Sequence, residues 1–252
     1  MKIKNFDLAI YGAGPASIFL INKLSKLKLN IALIERGNRN HISNNSFIDK
    51  VNGPFIFYKN NNLETASSFF GTAAYWEKKG VGGRLQKFDE SDVLDKWPIS
   101  FSNLKKKYNE LINEIGNIHK IDDDFLNLSH YGCFEIFKKE FNIVHASGSL
   151  TYNFKKIIEN YKNKILNSKN ITLIEDCDLI NFEFSFEKKK ILNSVCKLQN
   201  DEIFKIESKA HVLSLGCLEN NRFLLNVFKN HESYLNQYNF GKKIMFHPSM
   251  AL

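Results

Sequence analysis

The chain has 252 residues, of which 43% are hydrophobic and 25% are charged, and its formal net charge is +8. This composition is that of a globular protein with one large or two modest domains, and no apolar run is long enough to span a membrane. The lysines are scattered among acids without the basic stripe and interleaved aromatic residues of a nucleic-acid module, so we expect no nucleic-acid partner and no membrane span.

The first predicted elements follow the order of a dinucleotide-binding βαβ unit. An apolar strand over residues 8–11 ends in a glycine turn over residues 12–17, and an apolar helix pattern follows. A second apolar strand, over residues 31–34, ends in an acid, Glu35. This order of strand, glycine turn, helix, strand and acid predicts a site for a dinucleotide.

Each position in this unit has a physical requirement. Gly12 lets the chain turn sharply from strand to helix, and Gly14, with no Cβ, lets the backbone approach a pyrophosphate at the helix start. Ser17 stands where a third glycine is usual and is small enough for close helix–strand packing. Glu35 lies about 20 residues beyond the turn, where a carboxylate can accept hydrogen bonds from ribose hydroxyls. The alternative interpretation is an ordinary glycine turn with a surface glutamate.

A second glycine segment follows a loop rich in asparagine and serine over residues 41–62. Residues 67–76 combine a glycine and small residues with large aromatic residues, which suits a loop that passes close to a planar ligand. An equally good interpretation is a loop whose aromatic side chains simply pack onto the core.

The remaining pattern predicts two amphipathic helices, a group of strands and a second strand–glycine–helix unit. The helices cover about residues 100–116 and 150–166, and the strands cover residues 171–174, 178–186, 191–198 and 202–206, with a hairpin turn at Asn200-Asp201. An apolar strand over residues 210–216 then ends in glycine before a further helix, which can cover a cofactor from the other side. His211 lies inside that strand and is interpreted as a core residue.

The cysteine and histidine patterns predict no metal site. Cys133, Cys177, Cys196 and Cys217 form no C-x-x-C pair, and the seven histidines lack H-x-x-x-H spacing. We therefore expect reduced thiols in a cytoplasmic protein and no bound metal.

Several segments together resemble one enzyme family, in the order in which that family carries them. The chain resembles the FAD-dependent glucose–methanol–choline (GMC) oxidoreductases, especially the bacterial sugar- and alcohol-oxidising branch that is similar to pyranose oxidases. The resemblance covers essentially the whole chain but only the amino-terminal part of a family member. The matching segments are Tyr11-Gly-Ala-Gly-Pro-Ala16, Ile34-Glu-Arg-Gly37, Gly71-Thr-Ala-Ala-Tyr-Trp76, Gly82-Gly-Arg84, Trp97-Pro-Ile-Ser100, Val212-Leu-Ser-Leu-Gly-Cys-Leu-Glu-Asn-Asn-Arg-Phe-Leu-Leu-Asn226 and Phe246-His-Pro248.

The resemblance implies a fold and a set of cofactor-binding residues. The fold is α/β, a Rossmann-like FAD-binding domain with a parallel sheet plus an antiparallel β-meander, C-terminally incomplete. The domain would span residues 1–228 with an insert at about 41–149, and residues 229–252 would begin a truncated substrate domain. The implied positions are Gly12, Gly14, Pro15 and Ala16 at the pyrophosphate, Glu35 at the adenosine ribose, Arg36 near the adenine, Gly71, Thr72, Ala73 and Ala74 beside the flavin and phosphates, Asp178 and Leu179 at the adenine, and Leu215 and Gly216 over the dinucleotide.

The chain also departs from the family pattern. Residues 77–81 interrupt the family's Trp-Gly-Gly-Arg segment, and Tyr75 stands near the histidine that attaches FAD in pyranose oxidases, so we expect noncovalent FAD. The family's catalytic histidine pair, or histidine and asparagine, lies near its carboxyl terminus, and His247 is not that base. We therefore expect no catalytic residue in this chain and an inactive isolated chain.

The implied function is that of a FAD-dependent oxidoreductase acting on CH–OH groups, with an alcohol or sugar as the small-molecule substrate and hydride transfer to FAD. Two alternatives are a NAD-dependent Rossmann dehydrogenase and a non-catalytic, truncated or split module that needs a complementing C-terminal polypeptide. The long separation between the glycine turn and the second strand–glycine element favours FAD over NAD.

Overall fold

The structure is a computed structural model that describes residues 2–39, 43–44, 66–67, 69, 71, 83–85, 99–115, 119–120, 150–152, 154–187 and 189–231. The chain divides into two compact units, one formed by Met1–Tyr75 with Tyr161–Leu252 and the other by Trp76–Asn160. The domain boundaries expected from the sequence stay predictions.

The helices and strands follow the predicted order in the first βαβ unit and again from residue 154 to residue 227. In chain order they are β1 (Ile3–Tyr11), α1 (Pro15–Leu24), β2 (Ile31–Ile34), β3 (Ser43–Asn44), β4 (Ala66–Ser67), β5 (Gly83–Leu85), α2 (Phe101–Ile115), β6 (His119–Lys120), β7 (Leu150–Tyr152), α3 (Phe154–Leu166), β8 (Ile171–Ile174), β9 (Cys177–Ser185), β10 (Lys190–Leu198), β11 (Ile203–Leu213) and α4 (Cys217–Val227). The predicted helix over residues 150–166 is therefore preceded by the short strand β7.

The first unit is built on a six-stranded sheet in the order β8-β2-β1-β11-β10-β9. The strands β8, β2, β1 and β11 are parallel, and β10 pairs antiparallel with both β11 and β9. Tyr11 pairs with Ile34 on one side and Leu213 on the other, so three parallel strands end at one edge of the sheet. The α/β fold with a parallel sheet and an antiparallel β-meander is confirmed.

One continuous strand replaces two predicted strands. The sequence suggests a break between residues 206 and 210, because Glu207, Ser208 and Lys209 are polar. The structure continues β11 through them, since β1 pairs with β11 from Ile3 to Tyr11 and supplies a partner along that length. The last meander strand is thus also a central strand of the parallel sheet.

A buried hydroxyl pair joins β1 to the meander. Tyr11 Oη donates to Ser194 Oγ at 2.6 Å, and neither residue is exposed. Tyr11 Oη also lies 3.0 Å from His211 Nδ1. The Phe182 ring packs edge-on against Tyr11 and Phe223, with centroid separations of 5.6 and 5.1 Å. This polar contact therefore lies inside the aromatic core between the sheet and α4.

We expect Tyr11→Phe to lower the free energy of unfolding by about 1–2 kcal/mol, because it removes a buried hydrogen bond and leaves Ser194 without its donor. The change should be smaller when Ser194 is already alanine. Urea unfolding of both single variants and the double variant measures this coupling, and strictly additive losses would contradict it.

We expect folding stability to decrease as the pH falls below about 6.5, the ordinary pKa of histidine. Burial lowers the pKa of His211 in the folded chain, so the unfolded chain takes up the proton first and is favoured at low pH. The stabilisation is fully present above that pH. His211→Gln should remove this part of the pH dependence of the urea midpoint, and an unchanged pH profile would be the contrary result.

Candidate functional site

The glycine turn lies at the edge of the sheet where the parallel strands end. Gly12 has a φ of +95°, and its N–H donates to Ile34 O of β2 at 2.7 Å. A Cβ at this position would stand 2.4 Å from Ser214 O, beyond the end of β11. The turn therefore requires glycine for two reasons, a left-handed backbone and the close approach of a second chain segment.

The helix α1 begins directly after the turn and leaves its amino end open. Gly14 is the N-cap residue, no side chain in the described part of the chain caps the helix, and the first turn carries no acid. Gly14 and Pro15 are partly exposed and Ala16 is exposed. The N–H groups of a first helical turn have no partner within the helix and carry a partial positive charge, so this end suits an anion.

Ser17 performs a role that the sequence did not reveal. Its hydroxyl lies 2.6 Å from Gly12 O and 2.8 Å from Gly14 O, and the residue is 1% exposed. The buried hydroxyl thus donates to two carbonyl groups of the turn, whereas the sequence indicated only that a small side chain would fit. A serine in the first turn of a helix occurs in many proteins, so no local signal in the sequence distinguishes this contact.

Glu35 directly follows β2 and lies against the turn. Its Oε2 accepts from Ala13 N–H at 2.7 Å, its Oε1 accepts from Gly37 N–H at 2.8 Å, and the residue is 6% exposed. Burial raises the pKa of its carboxyl, against the opposing effect of the two N–H groups and of Arg36. Each oxygen has capacity for a second hydrogen bond. The acid is therefore held in place by the turn itself before any ligand arrives.

Arg36 lies at the centre of an ionic cluster that joins three elements. Its Nε donates to Asp178 Oδ1 of β9, and its Nη2 lies 3.5 Å from Glu219 Oε2 of α4. Arg222 contacts the same Glu219 oxygen at 2.7 Å. Burial acts to lower the pKa of Arg36, but the carboxylates of Asp178, Glu219 and Glu35 outweigh it and raise that pKa.

Glu219 is the functional candidate that the sequence analysis missed. It is 7% exposed, and among the described residues its Oε1 has no hydrogen-bond partner. The three-residue spacing of Glu219 and Arg222 indicates a helical ion pair. That spacing gives no sign that Arg36, 183 residues away, shares the same carboxylate.

The second glycine segment comes against the turn at Gly71. This residue has a φ of +55°, and a Cβ built on it would stand 3.6 Å from Gly14 Cα. The second glycine segment therefore reaches the start of α1, where it lies in van der Waals range of Gly14. Thr72, Ala73 and Ala74, with Tyr75, Trp76 and His247, lie outside the described residues.

The last predicted residues lie at the starts of β9 and α4. Leu215 N–H donates to Asn220 Oδ1 at 3.0 Å, and Gly216 caps α4 with a φ of +87°. Leu215 Cα stands 3.2 Å from the position of a Cβ on Gly12, so this segment meets the glycine turn. Leu179 packs against the core cluster, so its side chain faces inward.

The part of the chain that the structure describes contains no group of three or more His, Cys, Asp or Glu residues arranged to hold a metal ion. None of its helices combines the length and the apolar character needed to cross a lipid bilayer.

This chain is similar to known proteins in its structure and not in its sequence. No protein-family model and no curated protein matches the sequence. A pyridoxine 4-oxidase from Mesorbium loti matches with a TM-score of 0.52 at 13% identity, over 88% of this chain and 51% of that chain. Formate oxidase matches with a TM-score of 0.49 at 13% identity, over 90% and 48%. The Mycobacterium smegmatis Sdh1 complex in the apo form matches with a TM-score of 0.45 at 10% identity, over 86% and 35%.

At 13% identity, the match to the pyridoxine 4-oxidase bears on the fold alone. The pyridoxine 4-oxidase shares the α/β architecture described above. The chain spans between about a third and a half of the length of these structures, from 35% to 51%.

We expect Gly12→Ala to destabilise the protein clearly more than Gly216→Ala. Both positions have positive φ, which costs an alanine about 1–2 kcal/mol. A Cβ on Gly12 also collides with Ser214 O, whereas no atom of the described residues lies within 4 Å of a Cβ on Gly216. Urea unfolding measures both losses, and equal losses would show that the Ser214 segment shifts freely.

Proposed function

We propose that this chain is the FAD-binding part of a flavin-dependent oxidoreductase of the GMC type, acting on CH–OH groups of an alcohol or sugar. One observation carries the proposal: the open amino end of α1 follows a turn at which Gly12 is sterically required and against which Glu35 is fixed. This arrangement supplies an anion site and a ribose acceptor at the same sheet edge.

In this proposal the turn binds the pyrophosphate. The first-turn N–H groups of α1 point toward the phosphates, and two residues without a Cβ, Gly14 and Gly71, lie at the start of this helix. Pro15 lacks an N–H and so loses no hydrogen bond at the helix start. The residues present therefore fit a dinucleotide diphosphate.

Glu35 and its neighbours bind the adenosine half. Glu35 accepts hydrogen bonds from the ribose hydroxyls with the capacity that Ala13 and Gly37 leave on its two oxygens. Arg36 lies beside the adenine, with the first residues of β9, Asp178 and Leu179. Leu215 and Gly216 cover the dinucleotide from the β11 side.

The chemistry comes from the cofactor and from the substrate site. FAD, when bound, would supply the hydride acceptor for the oxidation of an alcohol carbon. The described residues bind and orient the dinucleotide, and no catalytic residue is assigned among them. The fold match to a pyridoxine 4-oxidase and the resemblance to GMC oxidoreductases support the assignment to oxidoreductases.

Two other functions remain as outcomes of the test. A NAD-dependent dehydrogenase would use the same turn, because the βαβ unit serves both cofactors. A non-catalytic or split module would bind FAD but need a complementing polypeptide before it turned over substrate. Cytoplasmic location stays a prediction.

The direct test is cofactor binding by the purified full chain. We expect visible flavin absorbance in the purified protein, or saturable quenching of FAD fluorescence when FAD is added, with no comparable affinity for NAD⁺. Tighter binding of NAD⁺ than of FAD would favour the dehydrogenase. Binding of neither cofactor would refute a dinucleotide site.

We expect Glu35→Ala to weaken FAD binding by about tenfold or more, because it removes the ribose acceptor and frees the Ala13 N–H. Glu183→Ala is the matched control, since Glu183 is an acid on β9 that pairs with Lys205 and Asn193 away from the turn. Fluorescence titration measures both. Equal affinities of the two folded variants for FAD would show that Glu35 does not contribute to FAD binding.

A further inference from the structure

Glu35 and Arg36 give opposite indications about the dinucleotide. An acid at the end of the second strand suits a ribose with a free 2′-hydroxyl, whereas a nearby arginine suits a ribose that carries a 2′-phosphate. Here the two residues are adjacent. The sequence alone therefore does not decide between an unphosphorylated and a 2′-phosphorylated adenosine.

The contacts of Arg36 decide the question. Its side chain is 34% exposed, so its position alone leaves it accessible to a ligand. Its guanidinium, however, pairs with Asp178 through Nε and with Glu219 through Nη2. One positive charge thus faces two carboxylates, and a phosphate dianion would have to compete with both.

The two carboxylates are themselves positioned by the fold. Asp178 is the second residue of β9, and its backbone is fixed by pairing with Lys197 of β10. Glu219 lies in the first turn of α4 and is 7% exposed, and the Oε2 atom that faces Arg36 also accepts hydrogen bonds from Arg222 Nε and Nη2. Arg36 therefore cannot turn toward a ligand without leaving Glu219 Oε2 with Arg222 alone, and Oε1 already lacks a partner among the described residues.

We propose that Asp178 and Glu219 are specificity-determining residues, which hold Arg36 away from the ribose so that the site accepts adenosine with a free 2′-hydroxyl and rejects 2′-phosphorylated adenosine. The inference rests on the proposed dinucleotide site and applies to FAD and to NAD⁺ alike. Asp178 and Glu219 act through Arg36, whereas Glu35 contacts the ribose directly.

The test compares ADP-ribose with 2′-phospho-ADP-ribose, which differ only in the 2′-phosphate. Isothermal titration calorimetry on the full chain gives the ratio of the two dissociation constants. In the wild type we expect the phosphorylated probe to bind at least about tenfold more weakly. In Asp178→Asn/Glu219→Gln we expect the ratio to shift by about tenfold toward the phosphorylated probe, the range of one charge-assisted hydrogen bond.

Three further variants isolate the role of Arg36. Adding Arg36→Gln to the double variant should abolish the shift, because the released guanidinium is then absent. Glu183→Gln removes one β9 carboxylate elsewhere and should leave the ratio unchanged. Asp178→Asn alone changes a carboxylate that is 51% exposed, so it should fold and shift the ratio in the same direction if the double variant does not fold.

The outcomes separate the inference from the function on which it rests. If the wild type binds both probes equally, or if folded Asp178→Asn shows no shift, the inference is wrong while the dinucleotide site stands. If the wild type binds neither probe, the dinucleotide site is refuted and the inference with it. A gain in affinity for the phosphorylated probe cannot arise from loss of folding.

Discussion

The close approach of two chain segments at Gly12 is the constraint on which the site depends. The Gly12 N–H is bound to the end of β2, and its Cα faces the carbonyl of Ser214 beyond β11. Both neighbours of β1 meet the turn there. Three features therefore converge on one edge of the sheet: the start of α1, Glu35 directly after β2, and the Leu215–Gly216 segment. A bulkier residue at this point would separate all three.

Around that turn the protein buries charge in order to fix geometry. The Glu35 carboxylate is buried and accepts hydrogen bonds from two backbone N–H groups, that of Ala13 in the glycine turn and that of Gly37 just beyond β2. Its orientation is therefore set without a ligand. Glu219 is similarly buried and shared between two guanidinium groups. Burying carboxylates lowers folding stability unless they are well paired, so such contacts are more readily explained by positioning than by stabilisation.

The sequence predicted those features that depend on neighbouring residues. The βαβ unit, the Asn200-Asp201 hairpin and the helix after Gly216 each follow from local periodicity and turn chemistry, and the structure confirms them. The Arg36–Glu219 contact depends on strand order, which places α4 beside the end of β2 although 183 residues separate them. The continuity of β11 likewise depends on β1 as a partner, which outweighs the polar run at residues 207–209.

The pairing of β1 with β11 has a consequence for how the chain reaches its native state. β1 can pair with β2 soon after both are synthesised. Its other partner, β11, is about 200 residues further along the chain, since Tyr11 pairs with Leu213. Until that late strand emerges from the ribosome, one edge of β1, whose second half is buried in the finished sheet, stays open to mispairing. Because contacts between residues far apart in sequence slow folding, the closure of this edge by β11 is a late event in the folding of the chain.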